Sequence, residues 1–242
     1  MDKTTFWDLI KIRYGKRLDR LPTRCVCGSN FDIQHALSCK KGGFVTLRHN
    51  ILRNTTATLL SEVCKDVEVE PTLAKLTGET FQNTSNTSDE ARLDISARGF
   101  WISGQKAFFD VRVFNPKAGR YEKQSLSKCY ESNEREKKRF YNERVQKCDQ
   151  GSFTPLVFSS NGGYGRECRT FYQRLASMLA EKRKQPVEVV SSWLSRKINF
   201  SLMRSVVMCV RGSRSHRSLD ELHNASLTSD AHSCEKVVGF NA

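Results

Sequence analysis

The chain has 242 residues, enough to bury a sizeable core in one large domain or in a small module plus a larger one. Forty Lys and Arg against 26 Asp and Glu give a formal charge of +14, which favours a polyanionic partner and decides nothing about fold. No apolar run approaches the ~18 residues of a membrane span, and the N-terminus carries no apolar signal segment. The Asn-x-Ser/Thr triplets at Asn54, Asn83, Asn86 and Asn224 therefore read as accidental, and nine cysteines as thiols or metal ligands rather than a disulfide framework.

Residues 4–20 carry Phe6, Ile10, Tyr14 and Leu18 at four-residue steps between basic residues. This predicts an amphipathic helix with a basic polar face, stopped by Pro22. Next comes CVCGSNFDIQHALSCKKGGF. Cys25 and Cys27 flank one residue, Gly28 supplies a tight turn, and His35 and Cys39 are one helical turn apart. Three thiolates and one imidazole make a closed tetrahedral zinc set, and in so small a loop the metal would contribute much of the folding energy. The plainer alternative is three buried thiols and an unrelated imidazole.

Ile51, Thr55, Leu59 and Val63, with Leu52 and Leu60 beside them, predict a helix over 44–64 that also carries His49 and Glu62. Residues 65–71 alternate Val67 and Val69 with charge and read as a short strand. Residues 77–90 are rich in Thr, Asn and Ser and read as a surface loop. Two strands follow within 91–113, each with one acid, Asp94 and Asp110. In the second, a period of two puts Asp110 and Arg112 on one face and Phe109, Val111 and Val113 on the other. Residues 117–130 read as a loop and 131–148 as a charged helix, largely solvated and laced with i,i+4 pairs such as Glu134 with Lys138. Residues 153–159 read as a buried central strand with Pro155 at an end or a bulge. Helices are expected over 166–183 and about 187–210. From 211 the chain is Ser-rich and reads as a mobile tail in which His216, His223 and His232 are solvated.

The fold class is thus α/β, a mixed central sheet flanked by helices and preceded by a small zinc knuckle. If the two acid-bearing strands pair, Asp94 and Asp110 come together. Two carboxylates suit Mg²⁺ with phosphate oxygens and waters, a chemistry for phosphodiester cleavage. Glu62 is a candidate third acid. Arg112 stands where a stabilising cation belongs but stays protonated and cannot act as a base. Lys137, Lys138 and Tyr141 on the charged helix are the other candidates.

Asp94 in RLD, fifteen residues, then Asp110-Val-Arg112 resembles the metal site of PD-(D/E)xK nucleases, with Leu93 for the motif proline and Arg112 for its lysine. CVCGSNFDIQHALSC followed by a helix with RHN resembles the Cys-Cys-His-Cys knuckle before the restriction-like endonuclease of site-specific non-LTR retrotransposons. FFDVRVFNP, EKKRFYNERV and FTPLVFSSNGGYGRECRTFYQRL extend the likeness over roughly 5–212. The resemblance implies a restriction-endonuclease-like fold and nicking of genomic DNA to prime reverse transcription. By match, Asp94 and Asp110 hold the catalytic Mg²⁺, and Cys25, Cys27, His35 and Cys39 the structural Zn²⁺. A catalytic lysine displaced onto the following helix would be Lys137 or Lys138. The implied partners are DNA, the element's RNA and a reverse transcriptase supplied elsewhere, with no membrane, in the nucleus and also the cytoplasm. No polymerase motif of the YxDD type occurs, which reads as a fragment or a stand-alone domain. The expected division is a linker helix at 1–22, the knuckle at 23–43, the nuclease at 44–212 and the tail at 213–242. The alternative is a catalytically inactive, zinc-containing nucleic-acid-binding relic of such an element.

Overall fold

The structure, a computed structural model, describes residues 2–214. The tail expected from 213 with its three histidines lies outside the described residues from 215 on. The elements are helices α1 (Lys3–Arg13), α2 (Ile33–Ser38) and α3 (Phe44–Ser61), strands β1 (Lys65–Val69), β2 (Ile95–Arg98) and β3 (Lys106–Phe114), then α4 (Leu126–Lys147), β4 (Ser152–Ser159), α5 (Arg166–Arg183) and α6 (Val187–Arg211). The described residues divide into two compact units, Leu52–Arg204 and a second that joins the residues before Leu52 with those from Ser205 on. Both boundaries fall inside helices, α3 and α6. No described helix is long and apolar enough to cross a membrane.

In the larger unit the sheet order is β1-β2-β3-β4, antiparallel through the first three strands and parallel between β3 and β4. The sheet is mixed and flanked by helices, as expected. Alternation on β3 decides its two faces. Phe108 packs with Leu73, Leu93, Val145 and Phe153, and Phe114 with Tyr121, Cys129 and Val157, so one face lies under α4. Phe109 points the other way, its ring 5.3 Å from Phe100 and 4.9 Å from Phe171 of α5. Asp110 and Arg112 share the parity of Phe108 and therefore face α4.

Three expectations are corrected. First, β4 is the edge strand of the described sheet, although all of its residues but Ser152 are buried. Pro155 stands in its interior opposite Asp110; an edge strand accepts a missing N–H that a central one does not. Second, α4 begins at Leu126, not 131, because Ser125 caps it by accepting the Lys128 amide and Cys129 is buried beneath it. Third, α1 stops at Arg13, short of Pro22: Tyr14 closes the last turn onto Ile10, and Gly15 takes φ +64.

Candidate functional site

The Cys-Cys-His-Cys group lies in the smaller unit. Arg24 bridges Asn30, Cys25 donates its amide to Ser29 and Gly28 donates to Cys25, both at 2.9 Å. This closed turn needs φ +88 at Gly28, which a side chain resists. Asp32 caps α2 by accepting the His35 amide at 2.7 Å, and the Cys39 amide donates to the His35 carbonyl. His35 and Cys39 thereby meet on one face, as one helical turn requires. Cys25 Sγ is 3.8 Å from Cys39 Sγ, and Cys27 Sγ is 3.3 Å from His35 Nε2. All four ligand atoms lie within 4.8 Å of one another. A tetrahedron with Zn–S bonds of about 2.3 Å has S···S edges of about 3.8 Å. The donor set and its spacing therefore fit a metal ion such as zinc. Hydrogen bonds from Ser29 push the Cys27 thiol down to about 6, while burial raises Cys39. The described cysteines are all free thiols.

The two acids of the larger unit come together through strand register. Ile95 pairs with Phe109 in the antiparallel β2–β3 ladder, so the preceding residue, Asp94, falls opposite Asp110. The Asp94 amide donates to the Phe109 carbonyl at 3.2 Å, and Asp94 Oδ2 accepts the Val111 amide at 2.6 Å. Opposite residues of an antiparallel pair project from the same face, here the one beneath α4. Asp110 is only 6% exposed. Its Oδ2 is 2.7 Å from Lys137 Nζ, and Lys137 Nζ stands 5.6 Å from the centre of the Tyr141 ring, one turn further along α4. Burial, together with the charges of Asp110 and Asp94, pushes the Tyr141 hydroxyl up to about 12. Tyr141 therefore keeps its proton at neutral pH.

The helix also separates the two lysines. One residue is 100° of rotation on a helix, so Lys138 points away from Lys137 and pairs with Glu167 of α5 at 2.7 Å. The Glu134 to Lys138 pair expected along the helix does not form. Glu134 is buried and accepts the Glu167 amide at 3.0 Å, capping α5, and burial raises its pKa. Arg112 is also turned aside. Its Nη1 lies 3.1 Å from Glu136 Oε1, and Arg120 Nη2 takes the other oxygen at 2.6 Å. Burial opposes ionisation of Glu136, but the two guanidiniums hold its pKa below the usual range.

Glu62 does not join the acids. It follows α3 and is held by Arg183 at 2.8 Å, near the Lys65 end of β1, whereas Asp94 adjoins the other end. There the neighbour is Glu70, whose amide donates to the Asp94 carbonyl at 2.9 Å and whose carboxylate pairs with Arg53. Among the described residues, Asp94 and Asp110 belong to no group of three metal-ligating side chains.

Sequence reasoning missed Arg144, which is fully buried in α4. It donates to the carbonyls of Asn86, Ser88 and Ala74 at 2.9, 2.6 and 3.1 Å. Glu143 accepts from the Gln82 amide and the Ser85 hydroxyl, and Lys147 donates to the Thr80 carbonyl. The loop over 74–90 is thereby stapled to α4 along little more than one turn, and it leads directly into Asp94. No family model matches this chain, and no curated protein does.

Proposed function

We propose that the chain is a metal-dependent DNA endonuclease that nicks DNA at the Asp94 and Asp110 site. The observation that carries this reading is the convergence of two carboxylates, a lysine and a tyrosine beneath one face of α4. Asp94 and Asp110 would hold Mg²⁺, a donor set that this ion takes together with waters and phosphate oxygens. When bound, the ion lowers the pKa of a coordinated water and neutralises charge on the phosphoryl group.

The chain's own residues supply the rest. The Val111 amide fixes one oxygen of Asp94, so its carboxylate is oriented before substrate arrives. Lys137, 2.7 Å from Asp110, is the cation on which negative charge developing at the reacting phosphate can be stabilised. Tyr141 keeps its proton at neutral pH, its pKa pushed up by burial and by the two carboxylates. The resemblance to site-specific retrotransposon endonucleases supplies the biological setting: nicking of nuclear DNA to prime synthesis by a reverse transcriptase on another chain or segment, with the Cys-Cys-His-Cys zinc knuckle gripping nucleic acid.

Nicking of supercoiled plasmid in Mg²⁺ by wild type and by Asp110→Ala tests the reading. The expected result is nicking by the first and not the second. Equal activity, or none in either, leaves the nucleic-acid-binding module as the surviving interpretation.

A further inference from the structure

We infer that Arg112 and Arg120, held on either side of Glu136, form a cradle for a DNA phosphate next to the scissile one. The assignment rests on the nuclease reading of the Asp94 and Asp110 site. It differs from the sequence expectation that Arg112 is the catalytic cation, because the guanidinium turns to Glu136 and Lys137 takes the place beside Asp110.

Each oxygen of Glu136 receives one arginine, Arg112 Nη1 at 3.1 Å and Arg120 Nη2 at 2.6 Å. Arg120 reaches Glu136 through a single nitrogen, so its guanidinium is not engaged as the two-pronged fork that arginine uses best with carboxylates and phosphates. Two cations around one anion leave an excess positive charge. The group is also open: the side chains of Arg112, Arg120 and Glu136 are 22%, 58% and 38% exposed. A pair as exposed as Arg120 with Glu136 contributes little to folding, so exchanging that carboxylate oxygen for a phosphate oxygen costs little. Arg120 is steadied by the Tyr121 ring, 5.4 Å away, and Tyr121 is itself fixed by its hydroxyl bond to Asn133 at 3.0 Å.

Position supplies the second strand of support. Arg112 stands two residues after Asp110 on β3, on the same face, so the two Cα atoms are about 6.7 Å apart. That is roughly one nucleotide step of an extended backbone. With one phosphate at Asp110 and Lys137, its neighbour on the same strand reaches Arg112 and Arg120. Glu136 then acts as a placeholder that keeps both guanidiniums aimed while DNA is absent.

Removing the Glu136 charge favours polyanion binding under either reading, so the cradle is told from a structural role by Arg120, whose phosphate contact the salt dependence counts. The experiment is binding of the full chain to a duplex oligonucleotide in EDTA across a salt series. Arg120→Gln should flatten the slope of log K against log salt by about 0.9, one phosphate contact. Between about 50 and about 200 mM salt, wild type should therefore lose about threefold more affinity than this variant. Glu136→Gln should bind more tightly than wild type at every salt concentration. Unchanged slopes in Arg120→Gln, or weaker binding by Glu136→Gln, overturn the cradle even if the protein nicks plasmid. No salt-sensitive duplex binding by wild type, or a salt response altered by Arg120→Gln on duplex RNA alone, overturns it too. Failure of the nuclease reading is seen separately, as loss of Mg²⁺-dependent nicking with the two binding signatures intact.

Discussion

Replacing Arg144 by methionine preserves most of the buried stem's volume and removes the guanidinium that joins α4 to the loop over 74–90. Three carbonyls lose their donor: Asn86, Ser88 and Ala74. A hydrogen bond to a charged group is worth about 1.5–3 kcal/mol net. Ser88 is exposed, and water can take over its carbonyl; Ala74 and Asn86 are half-buried. Relief from burying the cation returns part of the loss. The net destabilisation expected is about 3 kcal/mol, or about 6–12 °C in Tm for a domain of this size. The change should also be local. The Asn86 amide, which donates to the Phe140 carbonyl at 2.8 Å, should lose hydrogen-exchange protection before the β3 amides do. Urea unfolding with hydrogen exchange reads both quantities. A loss below about 1 kcal/mol with unchanged exchange over 74–90 refutes the staple.

The remaining expectations concern the lysines, the metal and acid. Lys137→Ala should slow plasmid nicking by about 10²-fold or more, and Lys138→Ala by less than about threefold, because only Lys137 adjoins Asp110; equal effects would undo the assignment. Metal analysis of the purified chain should give about one zinc per chain, and Cys39→Ser should lower it and cost stability on urea unfolding; a value well below one removes the knuckle. Hydrogen bonds from Lys147, the Gln82 amide and Ser85 bring the Glu143 carboxyl down to about 2. A pKa lowered in the fold gives stability that is present above the unfolded value of about 4.5 and lost as pH falls toward about 2. Between pH 5 and pH 3 the wild type should therefore lose more stability than Glu143→Gln; parallel curves would show that this carboxylate does not hold the loop.

Periodicity carried the reading of this chain where one side of an element is apolar and failed where a charge is buried. The alternation of Asp110 and Arg112 against Phe109, Val111 and Val113 separated the two faces of β3, and packing in the structure puts one under α4 and the other against α5. The spacing of Cys25, Cys27, His35 and Cys39 found the cluster that could hold a metal, because a helical turn and a glycine turn admit few geometries. Arg144 and Glu134 look like solvated charges on a polar helix. Their burial depends on partners 33 to 70 residues away, the Glu167 amide and the carbonyls of 74–88, which no local pattern announces. The same holds for Lys137 against Lys138: adjacent in sequence, they differ by a rotation that only the packing of α4 on the sheet decides. Glu62 failed for the opposite reason. Its helix was read correctly, but the antiparallel register of β1 on β2 carries it to the wrong end of the strands.

The most direct test of the central claim is plasmid nicking in Mg²⁺ by wild type, Asp94→Asn and Asp110→Asn, each checked for equal zinc content and equal circular dichroism. The account expects nicked circles from wild type alone, abolished by EDTA and reduced by about 10²-fold or more in both variants. Undiminished nicking by either folded variant, or no nicking by wild type that retains its zinc and binds DNA, would contradict it.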